Sequence, residues 1–135
     1  MALICPAEGE DVLLARILNV SPDDKIILFS NDLTPSDTTV FGDLSQPTGG
    51  GYAVITLSGS WSISAGTGNY SHPTTVTVNF VNDGVTSPAA WNVYGYAVIN
   101  DAGNKILWAE RFSGAPFSVP STGGTISIAV KITLE

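Results

Sequence analysis

Charge is scarce in this chain. Only 13% of its 135 residues are charged, about half the usual share for a globular domain. Five are basic and twelve acidic, for a formal net charge of −7. Nucleic acid and anionic membranes are held largely by Lys and Arg at phosphate groups. Basic residues scattered from Arg16 to Lys131 make no patch, so neither partner is expected. The single cysteine, Cys5, excludes an internal disulfide and is compatible with folding in a reducing cytosol. The single histidine, His72, sits before Pro73 with no Cys or acidic residue close in sequence, which leaves it without a ligand set or a nucleophile to activate. No apolar run reaches the length of a bilayer span. The start, MALICPAEGED, has no basic n-region and turns acidic by Glu8, so a secretory leader is not expected.

What the chain has in quantity is small and polar: Ser and Thr together number 27 and Gly 14. That is the profile of a β-rich, loop-rich shell or extracellular protein. At 135 residues a single domain should bury roughly two-thirds of its unfolded surface, enough for a core without staples.

The stretch around which the rest is organised is WNVYGYAVINDAGNKILWAERF, residues 91–112. It reads as two long strands joined at Asn100-Asp101-Ala102-Gly103-Asn104, where Gly103 can take positive φ without steric cost. Strict alternation places Trp91, Val93, Gly95, Ala97 and Ile99 on one face and Tyr94, Tyr96 and Val98 on the other. On the return strand Ile106, Trp108, Glu110 and Phe112 alternate with Lys105, Leu107, Ala109 and Arg111. Strands apolar on both sides are central or covered, and Trp108 is expected to be buried against the last strand. Gly95 suggests a bulge or the close passage of another backbone. Glu110 and Arg111 adjoin in a strand and so point to opposite faces, each toward a cross-strand neighbour.

Elsewhere, residues 1–7 read as an extended arm with Leu3 and Ile4 as a small apolar hook. Residues 8–20 carry acids first and then Val12, Leu13, Arg16, Ile17 and Leu18 at near-helical spacing, the one helix candidate. It is expected to plug an open end of the sheets. Strands are expected at 25–29, 52–57, 60–64, 74–82, 117–119 and 125–134. In 74–82, Val76, Val78 and Phe80 face inward; in 125–134, Ile126, Ile128, Val130, Ile132 and Leu134 share a face. A long loop, 31–51, ends in three glycines, and loops of that length are commonly functional or mobile. About eight strands point to an all-β fold, an antiparallel two-sheet β-sandwich or jelly roll over 25–135, with one short N-terminal helix.

No catalytic, cofactor or metal site is expected. Asp23, Asp24, Asp32, Asp37 and Asp43 invite a calcium reading, but they match no EF-hand spacing and read as acidic turns. Gly49-Gly50-Gly51 leads into a strand and lacks the Lys-Ser/Thr of a phosphate loop. Trp61, Tyr70, Trp91, Tyr94 and Tyr96 could stack on sugars, though aromatics on strands are more often core; Tyr70 is the one expected to be exposed.

The run Val93-Tyr94-Gly95-Tyr96, an acidic turn, Leu107-Trp108-Ala109-Glu110-Arg111-Phe112, a proline-containing link and a final alternating strand resemble small virion proteins of tailed bacteriophages, including capsid decoration (cement) proteins. Leu28-Phe29-Ser30-Asn31-Asp32 followed by Leu33-Thr34-Pro35 is similar to that family's early strand and turn. The resemblance runs from about Lys25 onward. It implies a non-enzymatic protein of the virion, assembled in the host cytoplasm, that binds the major capsid protein and itself, as a trimer, through an N-terminal arm or loop. Leu3, Ile4, Tyr70, Tyr94 and Tyr96 are the interface candidates. A tail fibre or baseplate domain that recognises a host saccharide is the alternative, since one fold serves both.

Overall fold

A computed structural model describes residues 24–57, 62–63 and 74–132. The expected arm (1–7), the helix candidate (8–20) and Tyr70 lie outside the described residues. Nine strand segments follow in order: β1 Lys25–Phe29, β2 Ile55–Thr56, β3 Ser62–Ile63, β4 Thr74–Asn82, β5 Trp91–Val93, β6 Gly95–Ile99, β7 Ile106–Arg111, β8 Phe117–Val119 and β9 Gly124–Ile132. Only Tyr94 separates β5 from β6, so the continuous strands number eight. Every described pairing is antiparallel. Three open sheets result, ordered β2-β1-β6-β7, β3-β4-β9 and β5-β8.

The main core draws Ile26 and Leu28 of β1, Val76, Val78 and Phe80 of β4, Trp91, Val93, Tyr96 and Val98 of β5 and β6, and Ile128 and Val130 of β9 into one cluster. The alternation expected in 74–82 and 125–134 therefore holds wherever side chains are described. β1 is buried throughout: Ile26, Ile27, Leu28 and Phe29 are all at 0% exposure. Each such side chain contributes about 1.5–3 kcal/mol of gross burial free energy.

Strict alternation fails at two places, and both have a backbone cause. Trp91 and Val93 share the main core with Tyr96 and Val98, whereas Ala97 and Ile99 belong to a second cluster on the other face. The phase changes at Tyr94, which donates its N–H to Phe29 O and accepts the Phe112 N–H at its own carbonyl, both at 2.9 Å. A regular strand residue sends both groups to the same neighbour, so Tyr94 is the point where the strand turns over. Gly95 beside it is required by close approach: a methyl group there would overlap the Glu110 carbonyl oxygen and the Phe29 ring. The second shift lies on β7, where Val98 pairs with Trp108 but Ile99 with Ile106. Leu107 is the extra residue, so Ile106 joins Ala109 against the second cluster while Trp108 packs toward the main core.

The loop 31–51 is built into the fold. Phe41 and Leu44 cover Ile27, Ala97 and Ile99, which is why β6 is buried on both faces. A 3-10 turn, Phe41–Asp43, shapes that cover, with the Asp43 carboxylate accepting the Val40 N–H at 2.9 Å. Asn31 clamps the loop's two arms by donating to Asp43 O and accepting from Ser45 N, both at 2.9 Å.

The loop's last turn shortens β2 from the expected 52–57 to two residues. Gly49, Gly50 and Gly51 all have positive φ, at 70°, 59° and 72°, a conformation side chains resist. They deliver Tyr52 sideways into an aromatic group, stacked on Phe80 at 6.0 Å and edge-on to Trp91 at 5.6 Å. Trp91, at 2% exposure, donates its indole N–H to Gly49 O. Trp91 is thus the deeply buried tryptophan of the hairpin, and Trp108 is only partly buried.

Candidate functional site

Glu110, Arg111, Asp32 and Asp43 are each engaged within the fold. Glu110 and Arg111 leave β7 on opposite faces, as strand geometry requires. Glu110 accepts the Tyr96 hydroxyl proton at 2.8 Å from its cross-strand neighbour. Arg111 pairs with Asp32 at 2.7 Å, donates to Leu33 O at 3.1 Å and lies 5.1 Å above the Tyr94 ring. Asp43 holds its own turn, Asp32 pairs with Arg111, Asp24 is buried and Asp37 lines a groove, so these four do not converge, and Asp23 lies outside the described residues. No group of three His, Cys, Asp or Glu is placed to hold a metal among the described residues. No described helix is long and apolar enough to cross a membrane.

The interface candidates fare differently. Tyr94 is half-buried beneath Arg111. Tyr96 is at 5% exposure within the main core, so its ring offers an interface no free surface in this chain. The turn at Tyr94 rotates it inward. Burial, then the hydrogen bond to Glu110 and that carboxylate's charge, hold the Tyr96 hydroxyl protonated well above the ordinary tyrosine range. Leu3, Ile4 and Tyr70 lie outside the described residues.

Two of the surface depressions among the described residues border these strands. A groove of about 410 Å³ runs between Pro35, Ser36, Asp37 and Thr39 of the loop and the consecutive residues Ile106, Leu107, Trp108 and Ala109. Four consecutive residues on one wall mark the edge of β7 rather than one of its faces. The bulged Leu107, 46% exposed, sits on this edge. Bulges and flanking charges are the usual protection of an edge strand.

The second depression, about 320 Å³, is more apolar and lies between Phe112 and Phe117 on one side and Thr125, Ile126 and Ser127 of β9 on the other. Phe117 is 49% exposed and meets Phe112 edge-on at 5.6 Å, and Phe112 in turn lies 6.0 Å from the Tyr96 ring. The sequence offered no reason to single out Phe117, which reads as one apolar residue in a three-residue strand. It opens β8, whose described pairing is with the short β5, while Val119 two residues on is buried. Comparison with protein-family models, with characterised proteins and with solved structures finds no match.

Proposed function

We propose that this chain is a non-enzymatic structural protein of a tailed-bacteriophage virion, a decoration protein that binds the outside of the head and ties major capsid subunits together. On this reading the three sheets are parts of one jelly-roll-type sandwich, and the protein self-associates as a trimer. The observation that carries the reading is the hairpin: the segments that resemble decoration proteins, 93–96 and 107–112, fall on the β5–β6 run and on β7, which pair with each other, β6 buried throughout inside the four-stranded sheet and β7 along its edge. Low charge and many short polar side chains suit a surface largely covered by protein neighbours. Each copy need hold only modestly, because a lattice makes the attachment multivalent.

Docking is assigned to residues 1–7, through Leu3 and Ile4, and to the exposed parts of the loop 31–51. Much of that loop already covers the second face of β6, which leaves its outer residues, such as Asp37 and the 61% exposed Val40, for a partner. The test mixes full-length protein and a chain lacking residues 1–7 with undecorated heads, then measures occupancy and the heads' resistance to heat. Full-length protein should decorate and protect, and the truncated form should decorate poorly.

The half-exposed Phe117 gives the tail reading its one specific support, since an aromatic ring at a surface cleft can stack on a sugar. If neither form binds heads while the full-length protein binds tails or host glycans, that reading replaces the first.

A further inference from the structure

We propose that the cleft between the Phe112–Phe117 pair and β9 is a socket for one aliphatic or aromatic side chain of the capsid protein, from a segment whose neighbouring Lys or Arg meets Glu110. This rests on the head-binding reading and adds a further contact surface to the arm and the loop. The lining is two phenylalanines and Ile126, with only the hydroxyls of Thr125 and Ser127 as polar groups. Ser127 Oγ is already hydrogen-bonded to Asn79 Oδ1. A saccharide site needs several convergent polar groups to orient hydroxyls, and this cleft lacks them; an apolar side chain needs none. A volume near 320 Å³ suits a side chain better than a helix or strand.

Charge complementarity identifies what flanks that side chain. Glu110 lies near the end of β7 and Phe112 just past it, and Tyr96 touches both, through its hydroxyl to Glu110 at 2.8 Å and through its ring to Phe112 at 6.0 Å. Glu110 is exposed, and the Tyr96 hydroxyl fixes one of its oxygens. The adjoining cation, Arg111, is on the opposite face, held by Asp32 and Tyr94. Tyr96 thus connects the Glu110 carboxylate to the Phe112 wall of the cleft, and no cation stands in the cleft's described lining, on a chain of net charge −7. A partner segment with a basic residue next to its apolar one fits both features.

The experiment measures binding of the full chain to undecorated heads at low and raised salt, for wild type, Phe117→Ser, Glu110→Gln, Glu110→Lys and, as a control in the other groove, Leu107→Ser. Phe117 and Glu110 are exposed, so these variants should fold, and a melting curve beside each measurement verifies it. Phe117→Ser should weaken binding about tenfold or more, as expected for a central anchor. Glu110→Lys should weaken it further than Glu110→Gln, and the gap between those two should shrink at raised salt. Leu107→Ser should bind as wild type does. If wild type binds heads and folded Phe117→Ser and Glu110→Lys bind equally well, the socket is overturned and the head reading stands. If wild type binds no heads, both fall. Loss of glycan binding in Phe117→Ser would make the cleft a sugar site and overturn the socket in favour of the tail reading.

Discussion

The Tyr52 hydroxyl accepts the backbone N–H of Leu28 at 3.0 Å, at the point where β1 has run past the end of β2. β2 pairs only with Lys25 and Ile26, so Leu28, at 0% exposure, has no strand partner on that side. A side chain completes what a longer strand would have supplied, and its proton goes to Gln46 Oε1 at 3.1 Å. Tyr52→Phe keeps the ring stack but orphans a buried N–H. Equilibrium denaturation should show a loss of about 1–3 kcal/mol; an unchanged midpoint would mean the bond adds nothing.

Gly95→Ala should be strongly destabilising, by about 1–3 kcal/mol or more, because the methyl group meets the Glu110 carbonyl oxygen and the Phe29 ring in a packed layer. Gly42→Ala is the contrasting case: nothing lies within 4 Å of the added group. Thermal melts should place Gly42→Ala at or slightly above wild type and Gly95→Ala well below it.

The hairpin's two tryptophans should separate in the same assay. Trp91→Ala removes the largest fully buried side chain together with its bond to Gly49 O and should cost about 3–5 kcal/mol. Trp108→Ala, at a partly buried site bordering the groove, should cost less. Equal losses would show that Trp108 carries as much of the core as Trp91.

Alkaline stability should report on the buried tyrosines. Burial pushes the Tyr52 hydroxyl up to about 12, opposed by the smaller effect of the Leu28 N–H, and Tyr96 is raised as well. The unfolded chain loses these protons near the ordinary tyrosine value of about 10 while the folded chain keeps them. The stability they contribute is therefore complete below about pH 10 and declines as pH rises toward about 12. In Tyr52→Phe the alkaline decline should be shallower; the same slope would show that Tyr52 is not one of the groups responsible.

Much of the fold was legible because alternation is a direct trace of a sheet with one buried face. β4 matches its expected bounds, β8 does too, and β9 differs by one residue at its start. Gly103 has the positive φ expected of the hairpin turn, and Asn100 Oδ1 secures that turn by accepting from Asn104 N and Lys105 N. Gly95 marks the close passage it suggested. What alternation could not reveal was a change of phase. Nothing in VYGY says that Tyr94 splits its hydrogen bonds between two neighbours, which turns Tyr96 into the main core beside Trp91 and Val93. The Leu107 bulge is hidden in the same way within an unbroken apolar run. The loop 31–51 has no period at all, yet Phe41 and Leu44 cover a sheet face that only the assembled strands create. The Phe112–Phe117 cleft is drawn from one stretch, 112–127, but only the fold of β8 and β9 brings its walls face to face.

The central claim, attachment to a phage head, is tested most directly by electron cryomicroscopy of the particle that carries this protein. The account predicts density for the all-β domain on the outside of the head, in copies related by local three-fold symmetry and bridging adjacent capsid subunits. Density at the tail or baseplate, or a particle that contains none of this chain, would contradict it.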